Sequence, residues 1–281
     1  MSLFSTAFGE FPLKRYPSQP RDTLQAFCSA DGLLLNALAS SEKISQGARI
    51  LVVNDEHGAL SIPACAAGFS AALWTDSALS QLAVYANARI CNVEGPALFW
   101  STEPPPSAQL VLMRIPKQLP YFEYQLAVLS SCLEPGSQVH IAGMDKHLSP
   151  HTADIIERYL GATTRHRGER KARRFTATVT GPKPSAPANA KVKRYALETP
   201  ALTLQSLPNV FSADRLDGGS RLLLSRLGQL DPAQELVDLA CGNGVLGLAA
   251  IAVGVSQSAT FCDESAMAIE SARRNWACLL Y

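Results

Sequence analysis

No apolar run in the 281-residue sequence approaches the roughly 18 residues that a membrane-spanning helix requires. The segment from Met1 to Phe11 has no basic stretch leading into an apolar core either, so no secretory leader is expected. A soluble, cytoplasmic protein is the expectation that follows. Charge of one sign is scarce as well: 25 Lys and Arg stand against 24 Asp and Glu, for a formal net charge of +1. That balance excludes a uniformly polycationic chain, although a local basic face can hide inside a neutral sum. The seven cysteines, at 28, 65, 91, 132, 241, 262 and 278, are odd in number and never form a C-x-x-C pair. They offer neither a zinc cluster nor a disulfide framework, which suits a reducing compartment and predicts no bound metal. His147 and His151 have the spacing of ligands on a helix, but Pro150 stands between them and no third ligand is near, so they read as loop residues.

What is present is core-forming material. With 47% hydrophobic and 17% charged residues, the chain can bury apolar cores, and its length suits roughly two domains. Short apolar runs such as Arg49 to Val53 and Gln109 to Met113 alternate with longer helical stretches such as Tyr121 to Cys132. That rhythm predicts βαβ units and a parallel sheet. Pro104, Pro105 and Pro106 mark a surface loop, since three consecutive prolines can neither donate to a ladder nor continue a helix. A proline-rich and small-residue stretch from Gly181 reads as an interdomain linker. The expected layout is a first domain over 1–180, a linker over 181–194 and a second domain over 195–281.

The two halves echo each other. Val52-Val53-Asn54-Asp55-Glu56-His57-Gly58-Ala59-Leu60 aligns with Asp238-Leu239-Ala240-Cys241-Gly242-Asn243-Gly244-Val245-Leu246 at a fixed offset. Thr75-Asp76-Ser77-Ala78 aligns with Cys262-Asp263-Glu264-Ser265-Ala266 with one residue inserted, and Asn87 falls opposite Asn275. Each half therefore reads as the opening of the same nucleotide-binding fold. In the first copy Val52 replaces the acid Asp238 and Glu56 replaces Gly242, so that pocket reads as ruined by a lost carboxylate and an intruding side chain.

The second copy carries the chemistry. An apolar strand from Glu235 ends at Asp238, turns through Gly242 and Gly244, and enters a helix, so that the backbone can approach a ligand closely. Gly247 sits at the spacing of a third pyrophosphate-type glycine, so glycines alone do not decide the ligand. A carboxylate at the strand end does: Asp238 would repel pyrophosphate but can anchor an ammonium, which points to S-adenosylmethionine. Nineteen residues after Gly244, Asp263 ends the next apolar run, where a carboxylate can accept from both ribose hydroxyls. Glu264 beside it is a weaker candidate and reads equally as a helix cap. Ala240, Cys241 and Asn243 complete the turn, with Cys241 read as a small lining residue because no base neighbours it.

These residues resemble class I methyltransferases, and together with Asn209-Val210-Phe211-Ser212 and Leu216-Asp217-Gly218-Gly219-Ser220-Arg221 they resemble the RlmG/RsmC family of ribosomal RNA guanine-N2 methyltransferases. The resemblance extends over nearly the whole chain. It implies an α/β architecture of two tandem Rossmann-like class I methyltransferase folds, the first degenerate. It also implies a segment at Phe211 and Ser212 lying over the cofactor, and transfer of a methyl group to the exocyclic amine of a guanine. The wording around Val52 to Leu60 and Ile115-Pro116-Lys117 is more similar to the large-subunit branch, which implies 23S ribosomal RNA, free of some ribosomal proteins, as partner. Between Arg158 and Arg194 the chain is basic and opposed only by Glu169. In the light of the resemblance, Arg165, Arg167, Arg170, Lys171, Arg173 and Arg174 become candidate RNA-phosphate contacts, and the first domain an RNA-binding platform. The Asn-Pro-Pro-aromatic motif that the family carries after the fourth strand of its catalytic domain is absent from the 281 residues. The expectation is a catalytic domain that is incomplete here, with its catalytic group outside this chain and the chain inactive by itself. Two alternatives stay open: a noncatalytic RNA-binding protein of duplicated fold, and the 16S-specific enzyme of the same family.

Overall fold

A computed structural model of the chain describes residues 2–19, 22–41, 44–181 and 192–279. It divides into two compact units, with the boundary at residue 188. The expected linker lies mostly outside the described residues. At its far end the structure departs from the expectation, because Lys193 and Arg194 open a strand.

The first unit begins with an antiparallel hairpin, β1 (Ser2–Thr6) and β2 (Gly9–Leu13), followed by α1 (Ser29–Ala39). Then come β3 (Arg49–Val53), α2 (Ser61–Ala66), β4 (Ser70–Thr75), α3 (Ala78–Ile90), β5 (Ala97–Trp100), β6 (Leu110–Arg114), α4 (Leu119–Cys132), β7 (Gln138–Met144) and α5 (Thr152–Tyr159). β8 (Thr163–Arg165) and β9 (Ala172–Thr178) close a seven-stranded sheet in the order β5-β4-β3-β6-β7-β9-β8. β3 to β7 run parallel, and β9 lies antiparallel to both β7 and β8.

β3 and β6 are apolar without interruption because helices cover both faces of the sheet. Ile50 and Val52 face a core with Leu34, Leu38, Ile62 and Val84 from α1, α2 and α3. Leu51 and Val53 face the other core, with Phe122, Leu126 and Ile156 from α4 and α5. The strand order reverses between β3 and β6, so the crevice at their carboxyl ends is the topological switch point where ligands of such sheets bind.

The second unit starts with a similar hairpin, β10 (Lys193–Glu198) and β11 (Ala201–Ser206). It continues with α6 (Gly218–Leu224), β12 (Ala233–Leu239), α7 (Val245–Ala252), β13 (Ser256–Cys262) and α8 (Ala266–Leu279), β12 and β13 forming a parallel pair. Asp217 caps α6 by accepting from the amides of Gly219 and Ser220 at 2.9 and 3.1 Å. α7 covers the face of β12 that carries Leu236 and Asp238, while Val237 and Leu239 on the opposite face are 66% and 81% exposed.

The echo between the halves is repeated in hydrogen bonds. Asn87 accepts from the Lys14 amide at 2.9 Å and donates to the carbonyls of Lys14 and His57 at 2.8 Å each. Asn275 accepts from the Gln205 amide at 2.9 Å and donates to the carbonyls of Gln205 and Asn243 at 2.8 and 2.9 Å. His57 and Asn243 are aligned positions, so in each unit one buried asparagine ties the helix after the second strand to the turn and to the hairpin. The turns also match in backbone conformation at their first and last residues, though not at the aligned Glu56 and Gly242, where only the glycine has a positive φ. Asn54 and Ala240 sit at φ 62° and 58°, and Gly58 and Gly244 at 84° and 83°. Among the described residues no helix is long and apolar enough to cross a membrane.

Candidate functional site

At the carboxyl ends of β12 and β13 the second unit holds a cleft of about 460 Å³. Ala240, Cys241, Gly242 and Asn243 line it from the turn, Asp263 and Glu264 from the end of β13, and Phe211 and Ser212 from the segment before α6. Eight of the ten candidate cofactor residues thus come together. A Cβ added to Gly242, at φ +55°, would find only Val210 at 4.0 Å, so the glycine leaves room for close approach. Asp263 holds the turn in place, its Oδ2 accepting from the Gly242 amide at 2.9 Å and its Oδ1 from the Ser265 amide at 3.0 Å. Each oxygen keeps a lone pair for a further donor.

The two remaining candidates stand behind the cleft. Gly244 is needed for packing: a Cβ there would come within 3.0 Å of Ala272 and 3.2 Å of Phe261. Asp238 is buried, and its Oδ2 accepts from the Gly247 amide of α7 at 2.9 Å. Burial pushes its carboxyl above the ordinary range; the Gly247 amide opposes this and the charge of Asp263 adds to it. The sequence reading had Asp238 facing the ligand directly; in the structure it braces the turn from beneath. Burial also pushes the Cys241 thiol up to about 12, with the charges of Asp238 and Asp263 adding to the effect, so the sulfur stays a protonated lining group.

Sequence reasoning missed Tyr195 and Arg215 in the lining, whereas Asn209 and Asp217 belong to the segments that carried the family resemblance. Asn243 links Tyr195 to the turn, its amide donating at 3.1 Å to the Tyr195 hydroxyl and at 3.1 Å to that of Ser206. The residues come from the hairpin and the segment before α6, far in sequence from the glycine turn. The Asp217-Gly-Gly-Ser cap was the one local signal that could have pointed to them.

The equivalent crevice of the first unit, about 360 Å³, is lined by polar groups already engaged with one another. The Asp55 carboxylate accepts from the amides of Gly58, Ala59, Leu60 and Ser61 at 2.8 to 3.0 Å and from the Ser61 hydroxyl at 2.8 Å. Arg114, at the end of β6, pairs with the buried Asp31 inside the same crevice. Val52 and Glu56 are therefore only part of the degeneration. A carboxylate occupying the amides that open α2 and an ion pair across the crevice complete it.

The six basic candidates do not form one patch. Strand alternation sends Arg165 and Arg173 to the sheet face of Phe175, where they line a cleft of about 210 Å³. There Arg173 is paired with Asp145 at 3.2 Å. Arg174 points to the opposite face, and its guanidinium donates to the Thr176 hydroxyl at 2.8 Å. Glu169 and Ala172 exchange backbone hydrogen bonds at 2.8 and 2.9 Å around Arg170 and Lys171, which stand exposed at φ 48° and 62°. Side chains of this size in the left-handed region cost roughly 1–2 kcal/mol each, at a turn where Asn-Gly would be unstrained. His151 sits 3.3 Å from Asp154, and no group of three metal-ligating side chains occurs among the described residues.

Residues 1–181 match the family model described as the RLMG N-terminal domain, and residues 201–279 match the methyltransferase small domain. The ribosomal RNA large subunit methyltransferase G of Ectopseudomonas mendocina is 38% identical over 284 residues, an alignment covering 100% of this chain and 75% of that protein. The chain belongs to the ribosomal RNA large subunit methyltransferase G family. The family member from Alcanivorax borkumensis is 36% identical over 285 residues, covering 98% of this chain and 72% of its own length. Among solved structures, the T. thermophilus 16S rRNA N2 methyltransferase RsmC, in complex with AdoMet and guanosine, superposes with a TM-score of 0.73 at 18% identity, over 99% of this chain and 72% of that one. That likeness places the fold among the class I methyltransferases.

Proposed function

We propose that the protein is a methyltransferase that modifies the exocyclic N2 amine of a guanine in 23S ribosomal RNA, with S-adenosylmethionine as its cofactor. The observation that carries the reading is the cleft at the ends of β12 and β13 in a chain of this family. Its residues fit the cofactor. The volume lies within the ~300–1,000 Å³ of small-molecule sites, Gly242 leaves open space, and the donor set matches a zwitterion that carries an extra cation. Asp263 and Glu264 offer acceptors to a ribose diol. Arg215 offers a cation to a carboxylate, and Asp217 a carboxylate to an ammonium. Phe211, 77% exposed, offers an aromatic face over the cleft. Asp238 keeps the turn in shape through Gly247. When bound, the cofactor supplies a methyl group activated by its sulfonium charge.

Residues of the chain supply position rather than acid or base chemistry, and positioning accounts for most of the rate in such a transfer. A guanine in a duplex cannot enter a cleft of this size without leaving its stack, so the target base is unpaired or flipped. The first unit serves as the RNA platform. The test is nucleoside mass spectrometry of 23S ribosomal RNA from cells lacking the gene. One N2-methylguanosine should disappear, return with the wild-type gene and fail to return with the Asp263→Ala gene. An unchanged 23S methylation pattern would refute the reading.

A further inference from the structure

α1 packs over β6, β7 and β9, and beyond the helix the outermost strand β8 continues the sheet. A step therefore runs alongside α1. Two clefts of about 490 and 470 Å³ share Leu33, Asn36 and Glu169 and so run end to end along it. On the helix side the edge is small and polar: Ser29, Gly32, Asn36 and Ser40 follow one another at about one per turn. A Cβ at Gly32 would meet nothing within 4 Å. On the strand side Arg167 lines one cleft and Arg170 the other.

At the inner end of the first cleft lies Arg174, half-buried and surrounded by neutral acceptors. Its guanidinium contacts the Thr176 hydroxyl at 2.8 Å and the Nδ1 atoms of His140 and His166 at 3.3 Å each. Burial, with the charges of Arg174 and His166 adding to it, holds His140 down at about 4, so its ring is neutral at pH 7. No carboxylate among the described residues lies within ion-pairing distance of Arg174. The charge of Glu169 acts on Arg174 only from beyond that distance, so the half-buried guanidinium keeps donors for an arriving anion. The second cleft adds an aromatic wall, Phe27 stacked on Phe4 at 4.2 Å between ring centroids.

We infer that this groove is a track for a single strand of RNA, in which Arg174 receives a phosphodiester, Arg167 and Arg170 contact neighbouring phosphates, and Phe27 offers a face to a base. The inference rests on the reading of the first unit as an RNA platform and adds which face does the work: the α1 side of the sheet, not the Arg165 and Arg173 side. Elongation favours a polymer over a small anion, and a basic groove with an aromatic face is the arrangement of sequence-tolerant single-strand binders. Glu169, shared by both clefts, opposes the phosphates and limits the affinity.

The test is fluorescence anisotropy of the full chain with a labelled single-stranded RNA oligonucleotide of mixed sequence, titrated at several salt concentrations. Arg174→Gln should weaken binding on the order of tenfold and lower the salt slope by about 0.7, the loss of one phosphate contact. Gly32→Glu should weaken it comparably while leaving the unfolding midpoint unchanged or higher, since the site is open and any side chain propagates a helix better than glycine. Glu169→Gln should tighten binding several-fold, and Arg165→Gln, on the other face, should change it less than Arg174→Gln. If Arg174→Gln fails to fold, Gly32→Glu decides the matter. RNA affinity that is unaltered by Gly32→Glu, or lost equally with Arg165→Gln, overturns the groove and leaves the platform reading standing. No measurable affinity for RNA overturns both.

Discussion

The two glycine turns, 54–58 in the first unit and 240–244 in the second, share φ angles at their first and last residues and the asparagine that anchors them, yet they place their carboxylates differently. In the second unit the acid stands at the strand end, where Asp238 braces α7 through Gly247 and leaves the cleft open. In the first unit that position is Val52, fully buried, and the acid stands three residues later, where Asp55 takes the four backbone amides that lead into α2. Placing the carboxylate three residues further along gives a self-capped turn in place of an open cradle. The binding capacity of this fold thus depends on which group occupies the helix amides, more than on the glycine pattern that shapes them.

The sharpest way to break that comparison is to delete the plug. Asp55→Ala strips five hydrogen bonds from buried donors and should destabilise the first unit by about 3–5 kcal/mol, read as an unfolding midpoint in urea. Cys241→Ala, at the aligned position, should cost the second unit no more than about 1.5 kcal/mol. Equal losses would mean that the two turns are stabilised alike. Next in size is the cofactor effect: Asp263→Ala should weaken S-adenosylmethionine binding on the order of hundredfold by calorimetry, through the loss of charge-assisted hydrogen bonds and of the anchor on Gly242. Asp76→Ala in the first unit should leave that affinity within about twofold, and a comparable drop would place a ligand role in the wrong unit.

The anchoring asparagines should behave as twins. Asn87→Ala and Asn275→Ala each remove three hydrogen bonds to backbone and should each cost about 2 kcal/mol, with loss of amide-exchange protection confined to the unit that carries the change. Protection lost across both units would show that the duplication does not divide stability as the structure implies. The smallest effect concerns pH. Because burial raises Asp238 above its ordinary 3.8, the folded second unit holds a proton that the unfolded chain has released. The associated stability is fully present below 3.8 and is lost as pH rises through the folded value. At pH 7 the ionised Asp238 is therefore a burden, and Asp238→Asn should raise the melting temperature by no more than about 4 °C while flattening its dependence on acid pH. A lowered melting temperature would show that the charge stabilises the turn.

Much of the fold was legible because its signals are local. The uninterrupted apolar run of β3 announces a strand buried on both faces, and the spacing of Gly242 and Gly244 after β12 announces a strand, turn and helix. The aligned Asn87 and Asn275 could be matched across the halves before their identical bonds were known. The sequence could not say which face each basic residue takes, because alternation is invisible until the strand is placed. Arg173 and Arg174 are adjacent in sequence and face opposite sides of the sheet, one paired with Asp145 and the other bonded to the neutral Thr176 hydroxyl. Tyr195 and Arg215 escaped notice because their distance from the glycine turn is closed only by folding.

From the sequence alone came the α/β class, the duplication, the acids at 238 and 263 and the family, since each rests on residue type and spacing along one strand, turn or helix. Tertiary structure alone decided that Asp238 stands behind the cleft, that Arg114 pairs with Asp31 in the first crevice, and that a groove runs beside α1. Those outcomes depend on which groups meet in space, which packing decides: Arg114 meets Asp31 across 83 residues of chain, and the Asn54 amide meets the Arg114 carbonyl across 60.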